Sequence, residues 1–432
     1  MKSFIYRCLL LFLPFTGNSQ PTIGLMLNTA NSWEGYTLFS PTSYNYSYLI
    51  DNCGKYIHAW KGTYTTGMAT YLMENGNLLR TGNVGGTYFN SGGRGGVLEI
   101  IDWNDSLLWT YEHHSQTYCM HHDIEILPNG NILAVAWERK TSTASINNGR
   151  NPSLLNGDIW AEKIIEIQPT YPTGGNIVWE WHIWDHLVQD YNSAKLNYGV
   201  VGDHPELLNI NYLGISPSYT EWLHYNSIDY NEELDQILIS TRYLCEIYII
   251  DHSTTTAEAA GHTGGIYGKG GDFLYRWGNP EAYNRGDSSD RKLFEPHSAR
   301  WIESDRPDSG KIMIFNNGVI RPDGSYSSVD VINQPVDTSG NYSIASGFAY
   351  SPDTLDWCYM APVPSDFYAS RVSGAQRLPN GNTLIIEGPK GNMFEVDYNK
   401  NKVWNYICPV NNSGSVTQGT IIVGNGVFRI DR

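Results

Sequence analysis

Apolar and polar positions alternate in short runs along most of this chain, and the runs take two recurring forms. The first is an apolar strand, a tight polar turn and a second apolar strand. It reads Tyr71-Leu-Met-Glu-Asn-Gly-Asn-Leu-Leu79, then Glu125-Ile-Leu-Pro-Asn-Gly-Asn-Ile-Leu133, then Gln376-Arg-Leu-Pro-Asn-Gly-Asn-Thr-Leu384. Asn-Gly between apolar runs predicts a hairpin, because both residues tolerate positive φ. Looser copies run over Ile228–Leu238 and Trp301–Phe315.

The second form alternates with the first and is a strand, a polar turn and a strand ending in Trp. Copies run over Tyr48–Trp60, Val97–Trp109, Ile164–Trp181, Glu246–Trp277 and Met393–Trp404, with a weaker sixth at Ser327–Ile332. Two such hairpins make one four-stranded blade. Six copies therefore predict an all-β chain folded as a six-bladed β-propeller. Blades of roughly 70 residues exceed the ~40 of minimal propeller repeats, so the inter-strand loops are long. The C-terminal stretch Thr420–Phe428 is expected to supply a missing hairpin and close the ring with N-terminal strands. Helical patterning is scarce, with one short turn expected over Asp185–Tyr191.

The first twenty residues break the pattern. A basic start, the apolar run Cys8–Phe15 and a small-residue exit near Ser19 and Gln20 read as a secretory signal peptide over 1–20. The propeller domain is then expected over 21–432, in an exported protein, periplasmic or secreted. The net charge is −16, and loss of Lys2 and Arg7 with the leader makes it more negative. Such a surface repels nucleic acid and anionic membranes. An anionic substrate must be received by a local cationic pocket. Cys53, Cys119, Cys245, Cys358 and Cys408 lack CxxC spacing, which argues against a zinc knot. One or two disulfides are open to an exported chain, with an odd thiol left over.

The inner strands of a propeller line one channel, so residues far apart in sequence meet there. His122, His224, His297 and Ser373 stand at or just before the starts of first-form strands, and alignment of the turns places His122, His297 and Ser373 at one blade position. Strand alternation turns His121 away from the channel, into a structural role. His113, His114, His182 and His186 read as surface or packing residues, Arg276 as packed on an aromatic, and Gly264–Gly271 as an inter-strand loop. Three converging histidines also suit zinc, but Arg242 beside them disfavours a cation.

The stretches His121-His122-Asp123, Trp222-Leu-His224-Tyr-Asn226, Ile239-Ser-Thr-Arg242, Leu274-Tyr-Arg-Trp-Gly-Asn-Pro280 and Pro296-His297-Ser-Ala resemble the bacterial arylsulfotransferases, the PAPS-independent aryl-sulfate sulfotransferases. The resemblance covers nearly the whole chain beyond the leader. It implies a six-bladed propeller, assembled as a homodimer, that moves a sulfuryl group from a phenolic sulfate to a phenolic acceptor through a sulfohistidine. By position it implies that His297 is the nucleophile and that His122, His224, Asn226 and Arg242 hold the sulfate, with Ser373 at the family's hydroxyl position. No cofactor or metal is implied. The family's nucleophile motif reads Gln-His-Asp, whereas this chain has Pro296-His297-Ser298, which leaves open the partner that orients His297. Two other readings fit the same residues: an aryl sulfatase that releases the group to water, and a non-catalytic propeller that captures sulfated ligands.

Overall fold

A computed structural model describes residues 21–432, apart from Thr87 and Pro217. The leader expected over 1–20 lies outside the described residues. Six antiparallel sheets form the six blades. Their innermost strands are Val427–Asp431, Thr66–Leu72, Tyr118–Ile126, Tyr225–Asn231, His297–Trp301 and Gly374–Arg377, in blades 1 to 6. No helix among the described residues is long and apolar enough to cross a membrane.

The Asn-Gly turns form for the reason their chemistry predicts. Gly76, Gly130 and Gly381 take φ of +81°, +84° and +86°. In the same turns the side chains of Asn75, Asn129 and Asn380 accept the backbone N–H two residues on, at 2.8–3.0 Å. Closure differs in detail from the expected hairpin. The C-terminus gives one strand, Val427–Asp431, which pairs with Tyr36–Pro41 as the inner strand of blade 1. The N-terminal Gly24–Asn28 pairs with Lys402–Ile407 as a fifth, outer strand of blade 6. Each end of the chain is thus sewn into a blade built mainly by the other end.

Apolar packing lies between blades. One cluster joins Leu79, Leu98 and Trp109 of blade 2 to Ile124, Ile132 and Ile165 of blade 3. A Trp on the fourth strand of each blade adds a directional link. The indole N–H groups of Trp109, Trp181, Trp277, Trp357 and Trp404 donate to the carbonyls of Gly174, Gly271, Pro352, Tyr398 and Asn52, at 2.7–3.2 Å, each in the next blade. Trp60 of blade 1 reaches blade 2 through an edge contact with Trp103 instead. The repeated Trp is therefore an inter-blade staple as well as core.

Among the other expectations, Arg276 is fully buried, forked onto Glu246 and 4.3 Å over the Tyr283 ring. His113 packs on Tyr118 and His186 is buried against Trp181, so both are packing residues. Gly264–Gly271 lies in the loop between strands Glu246–Asp251 and Tyr275–Trp277. Cys53, Cys245, Cys358 and Cys408 are free thiols.

Two outcomes follow from the staples and from a second blade link. Trp404→Phe keeps the ring but orphans the Asn52 carbonyl, and is expected to cost about 1–2 kcal/mol in urea unfolding, against about 3–5 for Trp404→Ala. His252 bridges Asp235 of blade 4 and Glu166 of blade 3. Burial alone would lower its pKa, but the two carboxylates override this and raise it from 6.5 to about 9. Its stabilising contribution, on the order of 2 kcal/mol, is full below pH 6.5 and is lost as pH rises through 9. Unfolding free energies at about pH 6 and about pH 10 should differ less in His252→Gln than in the parent protein.

Candidate active site at one end of the channel

An extended strand alternates its side chains, so two consecutive residues cannot both serve one site. The inner strands break this rule. Met68, His122, His224, Ser298 and Ser373 hold φ of 113°, 48°, 58°, 52° and 88°. Ladder register slips across Met68, His122 and Ser298 as β-bulges, and in blade 4 at Asn226, two residues after His224. A non-glycine residue held there costs roughly 1–3 kcal/mol, and bulges re-aim side chains. His122 and His224 occupy the left-handed position itself. In blade 5 that position falls one residue later, on Ser298, so His297 precedes it. Counted from the turns, the ladders match His297 to His122, since Arg300 and Trp301 pair with Met313 and Ile312 as Glu125 and Ile126 pair with Leu133 and Ile132; only the left-handed step differs.

The predicted residues nonetheless converge. The His122 and His224 rings stand 4.5 Å apart, centroid to centroid. His122, His224 and His297 are 2%, 3% and 1% exposed, and Arg242 keeps 22% of its side chain accessible. Burial, then Arg242 and His224, hold His297 well below the usual imidazole pKa. Burial and the same neighbours, with His121 and His297, do so for His122. Both are neutral imidazoles at pH 7.

His297 has a single tautomer. The Asn317 amide donates to the carbonyls of Ala369 and Val372, at 2.7 and 3.0 Å. Its Oδ1 must then face His297, where Nδ1–H donates to it at 2.7 Å. The lone pair is left on Nε2, which accepts the Val372 N–H at 3.1 Å. Attack from Nε2 requires that contact to be given up. Val372 is itself left-handed, at φ 48°, so the segment offering the amide is strained. Asn317 is the orienting partner that the sequence left open. It lies 20 residues from His297, at the end of the neighbouring strand Ile312–Asn316, and no motif marks it.

The other predicted residues are partly engaged by the scaffold. Arg242 directs Nε and Nη2 at Glu295 Oε2, at 2.8 and 2.6 Å, which leaves Nη1 for an anion. Asn226 donates to the Pro296 carbonyl at 2.8 Å and accepts from Ser240, so it fixes the entry to His297 and keeps one N–H to spare. Ser373 Oγ donates to Arg371 O and accepts the Gly388 N–H, so its proton is directed away from the site. Ser298 Oγ is buried with no hydrogen-bond partner among the described residues.

Behind these stand residues that sequence reading missed or called structural. His224 Nδ1–H donates to Glu221 at 2.6 Å, and Glu221 also accepts from Ser91. Burial works to raise the Glu221 pKa, but His224 holds it below the usual carboxylate value. His121 does turn away from the channel, stacking on Trp137 at 4.0 Å. It also contacts His122 and Glu162, at 2.8 and 2.7 Å.

The opposite end of the same strands opens into a 510 Å³ cavity lined by Glu125, Asp229, Arg300 and Asp431, with Glu232, Glu233 and Glu303 at its edge. One arginine stands there among six acidic side chains, of which burial holds Glu125 well above the usual carboxylate range.

No curated protein sequence matches the chain. Among solved structures it is similar to a protein of unknown function from Bacteroides caccae, with 11% identity over 92% of this chain and 98% of that one and a TM-score of 0.48. It is also similar to virginiamycin B lyase from Staphylococcus aureus, with 10% identity over 92% and 87% and a TM-score of 0.40. At those scores neither bears on what this chain does. A sequence model of the family described as Arylsulfotransferase (ASST) matches residues 24–418. That span takes in every blade strand except the closing Val427–Asp431, and with it all the residues of the histidine end, so the chain belongs to the arylsulfotransferase family and is an aryl sulfotransferase.

Proposed function

We propose that this enzyme passes a sulfuryl group from a phenolic sulfate ester to a phenol by a ping-pong mechanism, with a sulfohistidine at His297. The observation that carries the proposal is the environment of that ring: neutral, fixed by Asn317 with its lone pair on Nε2, and set beside the Arg242 guanidinium. The leader-like sequence over 1–20 supports export, so the donor and acceptor are met outside the cytoplasm.

A sulfuryl group resembles a phosphoryl group with less charge. Its transfer passes through a loose transition state, in which positioning and charge stabilisation dominate. Arg242 Nη1 and the spare Asn226 N–H are the groups left to donate to the sulfate oxygens. Nε2 of His297 forms the N–S bond as the S–O bond to the aryl oxygen breaks, and that oxygen takes up a proton. The second half reverses this: the acceptor phenol loses its proton, its oxygen attacks sulfur, and the imidazole leaves. A neutral imidazole needs no separate base to attack and is a good leaving group at the end.

Intact-protein mass spectrometry after mixing with 4-nitrophenyl sulfate, without acceptor, is expected to show a gain of one SO₃ and stoichiometric nitrophenol. His297→Asn should lose the adduct and at least about 1,000-fold in transfer rate. Steady nitrophenol release with no adduct would replace the proposal with direct hydrolysis. Asn317→Ala frees the ring to adopt the wrong tautomer and is expected to lower kcat about 10- to 100-fold with little change in KM. An equal loss in KM would instead place Asn317 in binding.

A further inference from the structure

Glu162, His121 and His122 form an unbroken line into the site. Glu162 Oε2 lies 2.7 Å from His121 Nε2, and His121 Nδ1 lies 2.8 Å from His122 Nδ1. All three side chains are buried, at 0–2% exposure. We propose that this line is a proton relay, with Glu162 as its reservoir, that makes His122 an acid in one half-reaction and a base in the other. The proposal rests on the sulfuryl-transfer reading above.

Each of the two contacts has room for one proton between two acceptors, so the line holds a single polarity at a time. In the first polarity Glu162 is protonated and donates to His121 Nε2. His121 Nδ1–H then donates to His122 Nδ1, and the hydrogen of His122 sits on Nε2. In the second, Glu162 is a carboxylate that accepts from His121 Nε2–H. His121 Nδ1 then accepts from His122 Nδ1–H, and His122 Nε2 is bare. No hydrogen-bond partner among the described residues holds His122 Nε2 in either state.

The two polarities match the two halves of the reaction. As the aryl S–O bond breaks, His122 Nε2–H gives its proton to the departing oxygen. His122 Nδ1 takes one from His121, His121 Nε2 takes one from Glu162, and a carboxylate remains. When the acceptor phenol enters, its proton travels the same path in reverse and restores Glu162. Neither histidine carries a charge before or after a transfer. Burial accounts for that economy, since it holds both imidazoles well below, and Glu162 well above, their ordinary values. The Tyr225 N–H, donating to Glu162 Oε1 at 3.0 Å, offsets part of the cost of the transient carboxylate. The sequence placed His121 in a purely structural role because alternation turns it off the channel. It is that turn which lets it reach from Glu162, on the third strand of blade 3, to His122 on the first.

A donor with a poor leaving group needs the proton, and one with a good leaving group does not. In single-turnover measurements Glu162→Gln, which keeps size but cannot pass a proton, is expected to slow desulfation of phenyl sulfate about 100-fold or more. With 4-nitrophenyl sulfate the loss should stay below about 5-fold. Rates of the unaltered enzyme on phenyl sulfate in mixtures of H₂O and D₂O should fall on a curve, since several protons move together. Equal loss on both donors, no loss on either, or a straight line in the isotope mixtures would overturn the relay, and the last needs no variant to fold. If the unaltered enzyme forms no sulfo-enzyme from either donor, the sulfuryl-transfer reading itself fails, an outcome distinct from failure of the relay alone.

Discussion

The site stands on a buried ion pair at the centre of the ring. Arg429, on the closing strand of blade 1, donates to Asp123 Oδ2 at 2.7 Å, one residue beyond His122. The same carboxylate accepts from Tyr71 of blade 2 and from the backbone of Ile228 in blade 4. Four blades therefore share one acceptor directly beneath the histidines. Isolated buried pairs return little net stability against their desolvation. Here the return is register, because the pair is satisfied only when the last strand has closed the ring. Similar pins continue round the channel, where Asp229 accepts from the Trp301 N–H and Arg300 donates to Asp431.

On that frame the inner strands spend backbone strain to build the site. Left-handed residues in or just before the inner strands of five blades turn His122, His224 and Ser298, the neighbour of His297, out of strand alternation. The outer part of each blade is regular by contrast, and the Trp staples hold it to the next. Strain is concentrated where geometry matters for chemistry, and regular packing surrounds it.

Charge follows the same division. The chain is strongly acidic, and one end of its channel is a carboxylate-lined cavity. At the other end carboxylates are present too, but each is committed to a partner: Glu295 to Arg242, Glu221 to His224, Glu162 to His121. What those pairs leave unengaged is the free edge of a guanidinium and imidazole nitrogens. Burial keeps His122 and His297 neutral, as the proposed proton relay and the proposed attack on sulfur require.

Local chemistry alone made much of this legible. Asn-Gly turns need positive φ, and apolar runs of strand length need a partner, so the hairpins, the six blades and the staple Trp could be read in order along the chain. His122, His224, His297 and Ser373 could be placed near one another because a propeller brings every inner strand to one axis; Asn226 and Arg242 joined them through the family resemblance. What needed the folded ring were properties that depend on contacts across blades. Asn317 is an ordinary polar residue until the carbonyls of Ala369 and Val372 force its oxygen toward His297. Ser373 stands at the predicted place, yet Gly388 and Arg371 engage its hydroxyl. The left-handed step that falls on His122 in blade 3 but on Ser298 in blade 5 changes no residue pattern, only φ. Side-chain period and turn chemistry are written locally in the sequence; tautomer, hydrogen-bond direction and bulge position are decided by which neighbours close around a buried group.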